Sequence, residues 1–422
     1  MRERRHGEKI IAFVMAGGEG KRLHPLTGER CKPAVPFGAR YRIVDFVLSN
    51  LTNSGIRSIY LLVQYKPHSL IEHIRKAWVI SPLLPDQFVS VVPPQMTSMG
   101  GMFQGTADAV YQSLHLIETY QPDLVAVFGA DHVYRMDVRQ MIWFHRERNA
   151  HVTLAALPVA LEQAPNFGII GTDASGRVGE FQEKPSQPKP MPGDPNRAYA
   201  SMGNYLFNTD VLVNALREAA ARGETDFGHH VLPRLLSTHR LFAYDFATNV
   251  IPGIKPYEEA GYWRDVGTVD AYFDTHADVL GEKPRFDAFN PQWPVFSSNY
   301  QGPVARVIGG EIENSLLGAA TIVKRGARIR NSILRREAVV EEGAVIEDSV
   351  IMDYVLIGRG ARVRRAIIDR HNRIEAGTQI GYDQADDARR YQVTPGGVVV
   401  IPTGNVNFYA RDSRGNGPGY AE

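Results

Sequence analysis

Three glycines, Gly17, Gly18 and Gly20, and four permanent cations, Lys21, Arg22, Arg30 and Lys32, crowd into residues 16–33, AGGEGKRLHPLTGERCKP, against only Glu19 and Glu29. Glycine reaches backbone angles closed to other residues and lets an anion approach exposed N–H groups, while lysine and arginine give charge-assisted bonds to phosphate oxygens. The chemistry expected of the stretch is polyphosphate binding, hence nucleotide binding. It is not a dinucleotide fingerprint, which would need glycine where Leu23 stands. Nor is it a P-loop, which would need glycine in place of Met15 and a hydroxyl in place of Arg22. A plain strand-to-helix turn explains the glycines but not the cations.

Carboxylates elsewhere are candidates for holding a metal. Asp131 follows the apolar run 124–128 directly, and Asp265 stands in YWRD before a helix expected near Thr268. Each reads equally well as a cap. His132 reads as structural, because one histidine beside one aspartate does not make a transition-metal site. Glu183 and Lys184 precede Pro185 and read, on residue types alone, as a solvated charge pair, the proline biasing Lys184 toward an extended backbone. Cys31 lies between two cations that would lower its pKa, yet its size suggests a spacer.

The elements positioning these residues alternate. Apolar runs at 10–15, 58–63, 88–92 and 124–128 read as buried strands; 43–54, 69–76, 106–120 and 138–148 carry helical periodicity, with Gly55 ending the first helix. Such alternation predicts an open, mostly parallel sheet covered on both faces, with ligands beyond the carboxyl ends of its strands. From His151 the strands shorten, and Gly168 with the turn 173–176 suits a hairpin excursion. Residues 281–299 contain little periodicity and read as a linker laid over the surface.

Beyond the linker a 17-residue interval governs the chain. Val323, Val340, Ile357 and Ile374 form one column, Gly326, Gly343, Gly360 and Gly377 another, Ile329, Ile346, Val363 and Ile380 a third, and Ser315, Ser332, Ser349 and Ala366 a fourth. Apolar residues about six apart within each period mark hexapeptide coils of a parallel β-helix, and stacking buries what one coil cannot. About five coils are expected from Arg306 to Ile380.

With 47 basic and 46 acidic residues among 422, no overall field draws the chain to nucleic acid or anionic lipid, so partners are expected in pockets. One cysteine allows no internal disulfide and suits a reducing cytosol. No apolar run approaches membrane-spanning length, and the basic start MRERRHGEK leads into a strand rather than a signal, so a soluble cytoplasmic protein is expected.

The order AGGxGxRL…KP, PAVPFGARYRIVDFVLSNLTNSGI, GTADAV, GADHVYRMD, FQEKP, SMGNYLF and YWRDVG, closed by hexapeptide coils, resembles the bacterial ADP-glucose pyrophosphorylases, the glucose-1-phosphate adenylyltransferases. The resemblance covers nearly the whole chain. It implies an α/β architecture: a Rossmann-like, mostly parallel nucleotidyltransferase domain at 1–280, a linker at 281–302, and a left-handed parallel β-helix serving regulation and assembly at 303–422. The implied reaction joins ATP and α-glucose 1-phosphate into ADP-glucose and pyrophosphate, committing glucose to glycogen. By motif, Arg22 and Lys32 would hold the triphosphate, Gly17, Gly18, Gln95 and Phe103 would line the nucleotide, and Asp131 and Asp265 would bind Mg²⁺, making Arg22, Lys32 and Asp131 the catalytic residues. Lys184 would hold the sugar phosphate, with Gly168, Glu183 and Ser201 on the glucose. Arg30, Arg40 and Arg42 would hold a small anionic effector, and a homotetramer is implied. Departures from the family pattern are Met102 and Phe103 for its Trp-Tyr, His229 and His230 for its Lys-Asp after DFG, and Glu29 where fructose-bisphosphate-activated members are basic. Another base or sugar, or a silent regulatory subunit, are the competing readings.

Overall fold

The computed structural model describes residues 8–404 apart from 82, 85 and 96–100. Along β1 (Ile10–Ala16), Ala12, Val14 and Ala16 join one apolar cluster and Ile11 and Phe13 join another, so the strand is buried on both faces. A run of apolar residues without alternation requires this. The further strands of the sheet are β2 (Ser58–Val63), β3 (Phe88–Val92), β4 (Leu124–Gly129), β5 (Val152–Ala160), β6 (Gly168–Thr172), β7 (Val178–Glu183), β8 (Arg197–Asn208) and β9 (Leu241–Asp245). Their order is β7-β6-β8-β4-β1-β2-β3, with β5 on β8 and β9 on β5. The β1, β2, β3 and β4 pairings are parallel, as is β5 with β9; the long β8 runs antiparallel to β4, β5 and β6.

The pairing of β8 with β5 shifts register between Ser201 and Tyr205, where Gly203 takes φ +68°. Such a bulge re-aims side chains. The helix expected over 106–120 is two helices, Thr106–Tyr111 and Leu114–Tyr120. Among the described residues no helix is long and apolar enough to cross a membrane.

The 17-residue interval builds three sheets of in-register parallel strands. Ile322 and Val323 pair with Val339 and Val340, and these with Leu356 and Ile357. The small-residue column has a specific use: the backbone N–H of Ser332, Ser349 and Ala366 donates to the hydroxyl of Ser315, Ser332 and Ser349, one coil earlier. Asn314, Asn331, Asp348 and Arg365 occupy one corner with φ between +44° and +48°, and the glycine column another with φ between +64° and +70°. After the fifth coil a helix, Gln384–Arg390, interrupts the stack, and a last strand, Val399–Ile401, pairs with Ala366–Ile368.

The two halves share a core. Leu26, Phe37, Phe46, Tyr272 and Phe286 pack in one cluster with Ile333, Met352, Ile367 and Val400 of the β-helix. Residues 281–302, expected as a surface linker, have no helix or strand but are built in: Phe286 and Trp293 are buried, and the Ser297 hydroxyl donates to Asp45 at 2.7 Å. Apolar side chains, sparse but large, explain the difference from the linker expected on lack of periodicity. The fully buried Asp45 also accepts from Trp78 Nε1 and from the Arg42 N–H, both at 2.8 Å, and contacts His73 Nε2 at 2.6 Å.

His276 sits in this shared core, accepting from the Gly38 N–H at 3.1 Å and facing the Tyr272 carbonyl at 2.8 Å. Burial pushes its imidazole down to about 4, and Arg335 adds to the effect. A depressed histidine binds its proton more weakly folded than unfolded, so stability is full above the unfolded value near 6.5 and falls as pH drops toward 4. Over that window the loss from this group is roughly 3 kcal/mol. Thermal melts between pH 7.5 and 5 should show Tm falling, with a shallower fall in His276→Gln; an identical pH dependence in the variant would contradict the assignment.

Candidate active site

At the carboxyl end of β1 the chain enters the glycine loop. A Cβ on Gly20 would stand 3.0 Å from Lys32 Cβ and 3.1 Å from Thr27 Cγ2, so only glycine, at φ +68°, lets the loop close over the lysine stem. Lys32 opens the short turn Lys32–Ala34, and its Nζ donates to Asp131 Oδ2 at 3.0 Å and to Asp265 Oδ1 at 2.9 Å.

The two carboxylates, far apart in sequence, meet through one small ribbon. Asp131 lies just beyond β4, and the strand after it, His132–Tyr134, pairs antiparallel with Trp263–Asp265 so that His132 faces Asp265. Neither aspartate caps a helix: the helix Val269–Ala277 is capped by the Thr268 hydroxyl, which accepts from the Ala271 N–H at 3.2 Å. Burial alone would raise the Asp131 carboxyl, but His132 and Lys32 outweigh it and hold it well below the usual carboxylate range. Burial likewise opposes the Lys32 charge, and the two aspartates raise its pKa in spite of it. Ligand atoms of Asp131, His132 and Asp265 lie within 4.8 Å of one another. The paired carboxylate oxygens suit a hard cation such as Mg²⁺, which keeps waters and takes one or two protein carboxylates. His132, expected to be structural, stands in this group, its ring 4.6 Å from that of Trp263 and its Nε2 3.4 Å from Asp131 Oδ1.

A cleft of about 790 Å³ opens beside this cluster, lined by Gly17, Gly18, Arg22, Lys32, Phe103, Asp131, Glu183 and Lys184 among the expected residues. Arg22 makes no hydrogen bond or ion pair among the described residues and lies beside Gly267 and Asp265. Phe103 is fixed by Gln64, just past β2: the Gln64 amide accepts the Phe103 N–H at 2.5 Å and donates to its carbonyl at 3.2 Å. Gln95 is not a lining residue; it is exposed and donates to the Pro93 carbonyl at 3.2 Å, and residues 96–100 lie outside those described.

Glu183 ends β7 and Lys184 follows it, their charged groups 3.3 Å apart. A Cβ on Gly168 would stand 2.9 Å from Glu183 Oε2, so glycine there leaves the carboxylate its place. Lys184 is not extended, as Pro185 predicted, but has φ +47°. That conformation costs on the order of 1–3 kcal/mol and is met where surrounding structure imposes it, here by a backbone bond from Lys184 N–H to the Phe167 carbonyl at 3.0 Å. Ser201 approaches the Tyr205 hydroxyl at 3.4 Å, and it is the tyrosine that lines the cleft; burial pushes that hydroxyl up to about 12.

Sequence reasoning missed a supporting wall. The Thr106 hydroxyl donates to Asp226 at 2.9 Å and accepts the Phe227 N–H at 3.0 Å, joining GTADAV to DFG, and Thr106, Asp226 and His229 face the cleft. Only the motif resemblance pointed to them.

Of the cations in the opening stretch, Arg30 turns away from the site. It is buried and donates through one nitrogen to both oxygens of the fully buried Asp369, at 2.9 and 2.8 Å. Arg42 is spent on the Ala34 and Ser69 carbonyls and the Ser69 hydroxyl, and Arg40 is exposed. The three thus have separate partners in the free protein, and Glu29 pairs with Arg370 at 3.2 Å. Cys31 is buried, and burial pushes its thiol up to about 11 despite its basic neighbours.

Comparison with known proteins places this geometry in a lineage. The family model for nucleotidyl transferases matches residues 11–282, and that for the GlmU-like C-terminal hexapeptide matches 304–401. The chain is 54% identical over 395 residues to a protein of Thermodesulfovibrio yellowstonii, covering 93% of this chain and 96% of the relative. It is 47% identical to one of Thermus thermophilus and 43% identical to one of Photobacterium profundum, each covering 94% of this chain and 98% of the relative. All three are named glucose-1-phosphate adenylyltransferase. With carboxylate pair, glycine loop and hexapeptide coils in one chain, the protein belongs to the glucose-1-phosphate adenylyltransferase family.

Proposed function

We propose that the protein transfers the adenylyl group of ATP to α-D-glucose 1-phosphate, releasing pyrophosphate and ADP-glucose, the donor for bacterial glycogen synthesis. The observation that carries this reading is the convergence of Asp131, Asp265 and Lys32 beside a cleft whose lining includes the cations Arg22 and Lys184. A phosphate oxygen of the sugar attacks the α-phosphorus, the bond to the bridging oxygen breaks, and pyrophosphate leaves with that electron pair. The nucleophile is already anionic at neutral pH, so no side-chain base is required. What opposes the reaction is the approach of two anions and the charge developing on the leaving group, both met by fixed cations and in-line positioning.

Arg22 and Lys32 hold the triphosphate against the N–H groups of Gly17 and Gly18, Lys184 holds the sugar phosphate, and Glu183 and Ser201 meet the glucose hydroxyls. Asp131 and Asp265 would hold Mg²⁺, which when bound neutralises phosphate charge and orients the oxygens. Control by small anionic metabolites, assembly as a homotetramer and a cytoplasmic setting complete the proposal.

Pyrophosphate release with glucose 1-phosphate should be fastest with ATP in a panel of nucleoside triphosphates; equal or faster turnover with dTTP or GTP would replace the adenylyl reading with another nucleotidyl transfer. Asp131→Asn should remove most turnover, by about 10²-fold or more, with an unchanged circular dichroism spectrum. Lys184→Ala should raise the KM for glucose 1-phosphate much more than that for ATP, and the reverse pattern would move Lys184 to the nucleotide.

A further inference from the structure

The Lys32 ammonium occupies the place a metal would need. Its Nζ lies 3.0 Å from Asp131 Oδ2 and 2.9 Å from Asp265 Oδ1, and its side chain is only 9% exposed. Mg²⁺ and similar ions require carboxylate oxygens at about 2.0–2.1 Å, so an ion bridging the same two oxygens and an ammonium between them exclude each other. The exclusion is electrostatic as well as steric. A cation three ångströms from both carboxylates removes half of their combined charge and repels a divalent ion at close range.

The side chain is held at its root by the backbone and at its tip, among the described residues, by the two aspartates alone. The turn Lys32–Ala34 and the glycine loop hold the backbone and Cβ, while the tip projects into the cleft wall shared with Gly17, Gly18 and Arg22. A lysine carries a point charge on a flexible stem and re-pairs readily. Polyphosphate in the glycine loop would offer that ammonium oxygen partners on the other side.

We propose that Lys32 is the resident counter-ion of the Asp131–Asp265 pair, and that the pair takes up a divalent cation only when a polyphosphate draws the ammonium away. The order follows: metal enters with or after nucleotide, never before it. Arg22 does not replace Lys32 in this role, having no ion pair to either aspartate among the described residues. The inference rests on the proposed Mg²⁺-dependent transfer and adds an exchange of cations to it.

The test is binding of Mn²⁺ alone, without nucleotide, to the full-length protein, read from the electron paramagnetic resonance signal of free Mn²⁺. The wild type should bind weakly. Lys32→Met, and independently Lys32→Gln should the first variant fail to fold, should bind one Mn²⁺ at least about ten-fold more tightly, a gain lost on adding Asp131→Asn. Equal Mn²⁺ affinity in wild type and folded Lys32 variants would overturn the inference, as would a gain that survives Asp131→Asn. Failure of the wild type to form ADP-glucose would instead overturn the functional reading, and the two failures are scored by separate measurements.

Discussion

Two carboxylates held within reach of one metal repel each other, and the Lys32 ammonium bridging Asp131 and Asp265 is what makes their approach stable in the free protein. The catalytic half converges on it. The parallel strands deliver the glycine loop after β1, Gln64 after β2 and Asp131 after β4, and the ribbon His132–Tyr134 with Trp263–Asp265 brings the second carboxylate alongside. A lysine in this place satisfies two opposed demands. It balances charge while no substrate is present, and it is released to phosphate when substrate arrives.

The β-helix takes part in the same constraint. Arg30 and Lys32 flank Cys31, and while Lys32 reaches the carboxylates, Arg30 is locked on Asp369 of the coils. Arg335, also from the coils, donates to the Phe37, Gly38 and Tyr41 carbonyls just downstream. A buried pair broken on one side costs roughly 3–5 kcal/mol, so the segment carrying Lys32 is tied at both ends to the second domain. The placement of Lys32 thus depends on coils that contribute no side chain to the cleft lining.

Much of this was legible in the sequence. The apolar strands and the 17-residue columns state their own packing, since a residue period fixes which side chains face inward. The glycine loop likewise announces an anion. What sequence could not give are pairings set by long-range register. The facing of His132 with Asp265 brings the two carboxylates together, and nothing local to either predicts it. Arg30 looked like part of the phosphate cradle until its partner, Asp369, appeared from the far end of the chain. Lys184 shows a third kind of miss, in which a local rule for residues before proline yields to the backbone bond that closes the site.

At the centre of the account is a direct transfer: the cleft supplies charges and position, and no side chain is asked to carry the adenylyl group. Exchange of labelled pyrophosphate into ATP separates this from a covalent route. The account predicts no exchange until both sugar phosphate and nucleotide are present. Rapid exchange with ATP and Mg²⁺ alone would show an adenylylated enzyme and would contradict it.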